Sequence, residues 1–106
     1  MVIKVIIPAF NEEKAIANVI KEIPKYVNEI IVVSNNSNDK TIEVAQKAGA
    51  TVLTENKKGY GYACLKGMEY IANQKSKPEI IVFLDGDYSD FPEELTQIVR
   101  DRKSVV

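Results

Sequence analysis

Along the 106-residue chain, short continuous apolar runs alternate with stretches whose apolar residues recur at helical spacing. Val2 to Ile7 is β-branched and apolar and is closed by Pro8, which predicts a first strand. Ile16, Val19, Ile20 and Ile23 follow at i, i+3, i+4 and i+7, one stripe for laying a helix on a sheet, and Pro24 ends it. Asn11 is expected to cap that helix, with Glu12 and Glu13 complementing its positive end. Glu29 to Val33 predicts a second strand. A second helix from about Thr41 should bury Ile42, Ala45 and Ala48 and close at Gly49. Ala50 to Leu53 predicts a third, shorter strand. A third helix grows from the loop Lys57-Lys58-Gly59-Tyr60-Gly61, with Cys64, Leu65, Met68, Ile71 and Ala72 expected on its inward side. Ile80 to Leu84 is continuously apolar, as a strand buried on both faces of a parallel sheet would be. Pro92 opens a last predicted helix with Leu95, Ile98 and Val99 on its stripe.

Strands alternating with amphipathic helices predict a doubly wound, mainly parallel α/β sheet with helices on both faces. The expected strand order is 3-2-1-4. That order gathers the ends of strands 1, 2 and 4 around one crevice, the usual place for a ligand in an open α/β sheet. The loops Pro8 to Glu13, Ser34 to Asp39 and Asp85 to Asp90 then face the same spot.

The chemistry concentrates where the fourth strand stops, at Asp85-Gly86-Asp87. Two carboxylates with no basic neighbour favour a hard, oxygen-seeking cation such as Mg²⁺ or Mn²⁺, commonly shared with substrate phosphates. Gly86 removes a Cβ where a phosphate or sugar would approach the backbone. The plainer alternative is a polar turn after a strand. Composition narrows the field. A net charge of −1 gives no reason to expect a nucleic-acid partner, and no apolar run is long enough to cross a bilayer. One cysteine and no histidine exclude an internal disulfide and Ser-His-Asp or Cys-His catalysis within this chain. No signal segment is visible at the N-terminus, and a cytoplasmic location, at a membrane's cytoplasmic face for a longer protein, is expected.

Four segments together resemble the family 2 glycosyltransferases, nearest to dolichol- or polyprenyl-phosphate sugar synthases. They are Pro8-Ala9-Phe10-Asn11-Glu12-Glu13, Ile31 to Thr41 with its Ser34-Asn35-Asn36-Ser37-Asn38-Asp39 core, Lys58-Gly59-Tyr60-Gly61-Tyr62-Ala63, and Leu84-Asp85-Gly86-Asp87-Tyr88-Ser89-Asp90-Phe91-Pro92-Glu93-Glu94-Leu95. The resemblance implies a GT-A, Rossmann-like fold, here a truncated one: a single nucleotide-sugar-binding unit over residues 1–106, with the acceptor half absent. It implies transfer of a sugar from a UDP- or GDP-sugar to an acceptor such as a polyprenyl phosphate or a glycan. Pro8, Ala9, Phe10, Asn11, Glu12, Val33 and Asn35 would line base and ribose. Lys58 would approach the phosphates. Asp85, Gly86 and Asp87 would hold ribose, diphosphate and metal, with Ser89 adding an oxygen to the metal.

The sequence departs from the family pattern in two places. Ser34-Asn35 stands where an acidic pair is usual, and a neutral amide accepts less strongly than a carboxylate. No residue matches the family's acidic general base, so no catalytic residue is assigned. Simpler readings stand beside each motif: Asn11 and Glu12 as helix capping, Ser34 to Asp39 as a capping loop, Lys57 and Lys58 as solvated lysines, Tyr60 and Tyr62 as packing or surface aromatics, Cys64 as a small helix residue. Two other functions fit parts of the pattern, a D-x-D phosphohydrolase and a non-catalytic nucleotide-binding or assembly module. If strand 4 is terminal, its apolar edge is a pairing hazard, and homo-oligomers through it are expected.

Overall fold

The computed structural model describes residues 2–75 and 78–84. Seven elements follow in order: β1 (Ile3–Ala9), α1 (Ile16–Glu22), β2 (Glu29–Asn35), α2 (Thr41–Lys47), β3 (Thr51–Glu55), α3 (Tyr60–Ala72) and β4 (Ile80–Phe83). All strand pairs are parallel, and the sheet order is β3-β2-β1-β4, as the alternation of elements predicts. The last expected helix, from Pro92, lies outside the described residues.

The sheet has two apolar faces. On one, α1 and α2 cover Ile3, Val5, Ile7, Val32, Ile80 and Val82, with the predicted stripe Ile16, Val19, Ile20 and Ile23 wholly buried. On the other, α3 covers Ile6, Ile31 and Val33. Each such isoleucine or valine withdrawn from water contributes roughly 1.5–3 kcal/mol, which is why these strands carry no alternation of polar residues.

Strand β2 runs on to Asn35, past the expected end at Val33, and of Ile42, Ala45 and Ala48 only Ala45 is fully buried. Three further differences have a local reason. Helix α1 begins at Ile16, not after Asn11. Asn11 has a left-handed backbone (φ 51°), unlike the extended conformation of an N-cap. Strand β3 begins at Thr51 because Ala50 is used in closing α2: its N–H donates to the Ala45 carbonyl at 3.1 Å and that of Gly49 to Gln46 at 3.1 Å. Gly49, at φ 100°, supplies the left-handed residue of this helix stop.

The inward side of α3 is the largest difference. Ala63, Gly67 and Ile71 are buried, while Leu65 is 61% and Met68 43% exposed. Small residues let the helix axis come close to the sheet. A Cβ on Gly67 would stand 2.8 Å from Ile6 Cγ2, so contact is set by the absence of a side chain rather than by the bulkiest apolar ones.

At the opposite end of the sheet from the crevice, a buried polar group ties four elements together. Lys4, only 5% exposed in β1, pairs with Glu29 of β2 at 3.1 Å and also donates to Gln74. Glu29 in turn accepts from Tyr70 at 2.7 Å, Thr51 at 3.0 Å and Gln74 at 3.2 Å. Desolvation pushes the Glu29 carboxyl up, but hydrogen bonds from Tyr70, Gln74, Lys4 and Thr51 outweigh it and hold the pKa below 4.5. The same Glu29 carboxylate raises the Tyr70 phenol.

Candidate functional site

Parallel register aligns the carboxyl ends of the strands. Ala9 of β1 stands opposite Ser34 of β2, and Asn35 stands opposite Glu55 of β3. The loops after β1 and β2 are clasped to each other beyond that line. The Asn11 N–H donates to Ser37 Oγ at 3.1 Å, and Asn38 N–H donates back to Asn11 Oδ1 at 2.7 Å. Glu12 N–H donates to Thr41 Oγ1 at 2.8 Å, and Glu13 N–H to Asp39 Oδ2 at 3.3 Å. Asp39 closes the clasp by accepting from the Thr41 N–H at 3.0 Å and from its hydroxyl. Partial desolvation pushes the Asp39 carboxyl up, but these donors outweigh it and keep it below the usual aspartate value. The capping residues of both loops therefore hold loop to loop.

Asn35 does the same for the loop after β3. Its Nδ2 donates to the carbonyls of Lys57 at 2.7 Å and Glu55 at 3.2 Å, which uses both amide hydrogens. Its Oδ1 accepts from the Gly59 N–H at 3.0 Å. Gly59 is the N-cap of α3 and has φ 134°, a backbone that other residues rarely adopt. Asn36, at φ 61°, adds a bond from its Nδ2 to the Asn56 carbonyl at 3.0 Å. The start of α3 is thereby fixed against the end of β2.

Between these loops lies a cleft of about 150 Å³ lined by Pro8, Ala9, Phe10, Asn35, Tyr60 and Ala63. It is smaller than a complete small-molecule site of roughly 300–1,000 Å³, and suits one flat ring. Among the described residues its lining has no charged side chain. Phe10 is 54% and Tyr60 57% exposed, two aromatic rings left at the surface of one hollow.

Of the residues expected at a site, Pro8, Ala9, Phe10 and Asn35 are brought together here. Asn11 and Glu12 stand beside it in the clasped loop, and Lys58 is an exposed residue of the loop that Asn35 holds. The side chain of Val33 does not reach the cleft: it is fully buried with Ile6, Ile31, Ala63 and Ile71, so its contribution is to the packing beneath. Ser34 lines a separate polar hollow of about 220 Å³ with Asn36, Ser37, Asn38, Ile42, Thr54 and Asn56. Asp85, Gly86, Asp87 and Ser89 lie outside the described residues, and among the described ones no cluster of acids, cysteines or histidines could hold a metal ion. Two cleft residues, Tyr60 and Ala63, were not expected from the sequence. The signal available for them was the segment Lys58-Gly59-Tyr60-Gly61-Tyr62-Ala63, which carries part of the resemblance but in which Tyr60 reads only as a packing or surface aromatic.

A parallel sheet with helices on both faces and clasped loops at the carboxyl ends of its strands defines a doubly wound α/β protein. The sequence profile of glycosyl transferase family 2 matches residues 4–102, and the chain belongs to that family. It is similar to RfbJ of Shigella flexneri, at 34% identity over 98% of this chain and 81% of that protein. It is also similar to the uncharacterized protein MJ1222 of Methanocaldococcus jannaschii, at 38% identity over 91% of this chain and 40% of that one. Among solved structures it superposes on glucosyl-3-phosphoglycerate synthase from Mycobacterium tuberculosis, in complex with Mn²⁺, UDP and phosphoglyceric acid. There the TM-score is 0.81 and the identity 27%, over 98% of this chain and 39% of that one. The fold is thus the GT-A fold, and the chain spans about two fifths of the length of MJ1222 and of this synthase.

Proposed function

We propose that the cleft receives the base of a nucleoside-diphosphate sugar, UDP- or GDP-linked, and that the chain is the donor-binding part of a glycosyltransferase passing that sugar to an acceptor such as a polyprenyl phosphate. The observation that carries this is the assembly of Pro8, Ala9, Phe10 and Asn35 into one uncharged aromatic slot at the ends of β1 and β2. The described lining could hold a planar base but could not neutralise a diphosphate. That role falls to Lys58 and to a divalent cation on the carboxylates of Asp85 and Asp87, which follow directly on Leu84, with Ser89 as a further oxygen. Two carboxylates so close in sequence suit Mg²⁺ or Mn²⁺ better than they suit each other. When bound, such a cation offsets the charge left on the diphosphate as the sugar–phosphate bond breaks.

The protein's own part is to position. Phe10 offers a face to the base, the backbone of Asn11 to Glu13 is fixed by Ser37, Thr41 and Asp39, and Asn35 sets the loop bearing Lys58. The superposed synthase holding UDP and Mn²⁺ supports the reading. Calorimetric titration with UDP-glucose and with a GDP-sugar, with and without Mn²⁺, tests it. Binding that requires the metal and disappears in Asp85→Asn/Asp87→Asn is expected. No metal-dependent heat with either donor would reject it.

A further inference from the structure

The donor-binding reading leaves the second exposed ring of the cleft without a task. Resting on that reading, we propose that Tyr60 is a nucleobase-stacking residue, the wall that α3 contributes to a slot whose other ring is Phe10. Both tyrosines at the start of α3 are surface aromatics, 57% and 47% exposed, yet only Tyr60 lines this cleft. Tyr62 instead lines a different hollow with Leu65, and the Lys57 ammonium sits 5.4 Å from its ring centre. The backbone leading into Tyr60 is fixed from the end of β2. The residue before it, Gly59, is pinned by Asn35 Oδ1 at 3.0 Å, and the Lys57 carbonyl by Asn35 Nδ2 at 2.7 Å. One turn further on, Ala63 is fully buried and presents only a methyl group to the slot.

The chemistry of the lining points the same way. Asn35 has both amide hydrogens committed, and the remaining side chains are proline, alanine and aromatic. Among the described residues the lining thus offers mainly ring faces and methyl groups, and face contact is what two aromatic rings are suited to.

The test is fluorescence or calorimetric titration of the purified protein with UDP and with GDP, each with Mn²⁺, for wild type, Tyr60→Ala and Tyr60→Phe. Thermal midpoints are measured on the same samples. For whichever nucleotide the wild type binds, Tyr60→Ala should weaken affinity roughly tenfold or more, and Tyr60→Phe should stay within about twofold because the ring is kept. Midpoints should barely change, since the side chain is exposed and alanine is a good helix former. Unchanged affinity in Tyr60→Ala, or a loss in Tyr60→Phe equal to that in Tyr60→Ala, overturns the stacking role while leaving the donor-binding reading intact. A wild type that binds neither nucleotide removes both together.

Discussion

Replacing Asn35 with aspartate tests the structural logic of the site through a change of one atom. The amide nitrogen faces two carbonyl oxygens, of Lys57 at 2.7 Å and Glu55 at 3.2 Å, while Oδ1 faces the Gly59 N–H at 3.0 Å. A carboxylate keeps the Gly59 bond but sets an acceptor against two acceptors. Two hydrogen bonds of about 0.5–1.5 kcal/mol each are lost, and the site is partly open to water, so the cost should be about 1–2 kcal/mol. For a domain of this size that is a fall of roughly 5–15 °C in midpoint. The new carboxyl would be held above an ordinary aspartate pKa by the facing carbonyls. The penalty is then present above that raised value and shrinks as pH falls through it, when the acid can donate one bond back. Thermal melts of wild type, Asn35→Asp and Asn35→Ala between pH 4 and 8, with amide exchange at Gly59, read all of this. Asn35→Asp should be the least stable at pH 8 and recover toward Asn35→Ala at low pH. An Asn35→Asp variant that melts with the wild type at every pH, with Gly59 still protected, would refute the reasoning.

Gly67→Ala gains helix propensity of about 1 kcal/mol but drives a Cβ to 2.8 Å from Ile6 Cγ2, an overpacking cost of roughly 1–3 kcal/mol. Net destabilisation is expected in urea melts, and a more stable variant would show that α3 is not in close contact there. Glu29→Gln leaves the buried Lys4 ammonium without a counter-charge, with Gln74 still accepting from it, and should cost about 2–4 kcal/mol, less than a fully buried pair because the Glu29 side chain keeps 20% exposure. Because the Glu29 pKa is depressed in the fold, its contribution is full above about pH 4.5 and is lost as pH falls through the lower folded value. Acid melts of the variant should therefore be flatter than those of the wild type. The raised Tyr70 phenol acts at the other end, stability declining once pH passes 10. Light scattering at high concentration checks the self-association expected of β4, which is terminal in the described sheet; a clean monomer would exclude it.

The strand order and the faces of α1 could be read from residues alone. Uninterrupted isoleucine and valine runs allow only a two-sided sheet, and prolines and glycines mark the breaks. The face of α3 could not, because a reading by hydrophobicity weights Leu65 and Met68 above Ala63 and Gly67, while helix-to-sheet distance is set by the smallest residues. Asn35 was recognisable as a site residue, but its work was hidden. An amide can serve a base or a backbone equally, and its partners lie 20 and 22 residues downstream. Lys4 in an apolar strand was a visible signal of a buried partner, and Glu29, opposite it in the β1–β2 register, is that partner.

In the proposed function the slot and the carboxylates that follow Leu84 receive one ligand together. Anomalous diffraction from crystals grown with Mn²⁺ and UDP or UDP-glucose measures this directly. A manganese peak on Asp85 and Asp87, with the base between the loop of Phe10 and the start of α3, is the predicted result. Manganese bound elsewhere, or nucleotide density away from Phe10 and Tyr60, would contradict it.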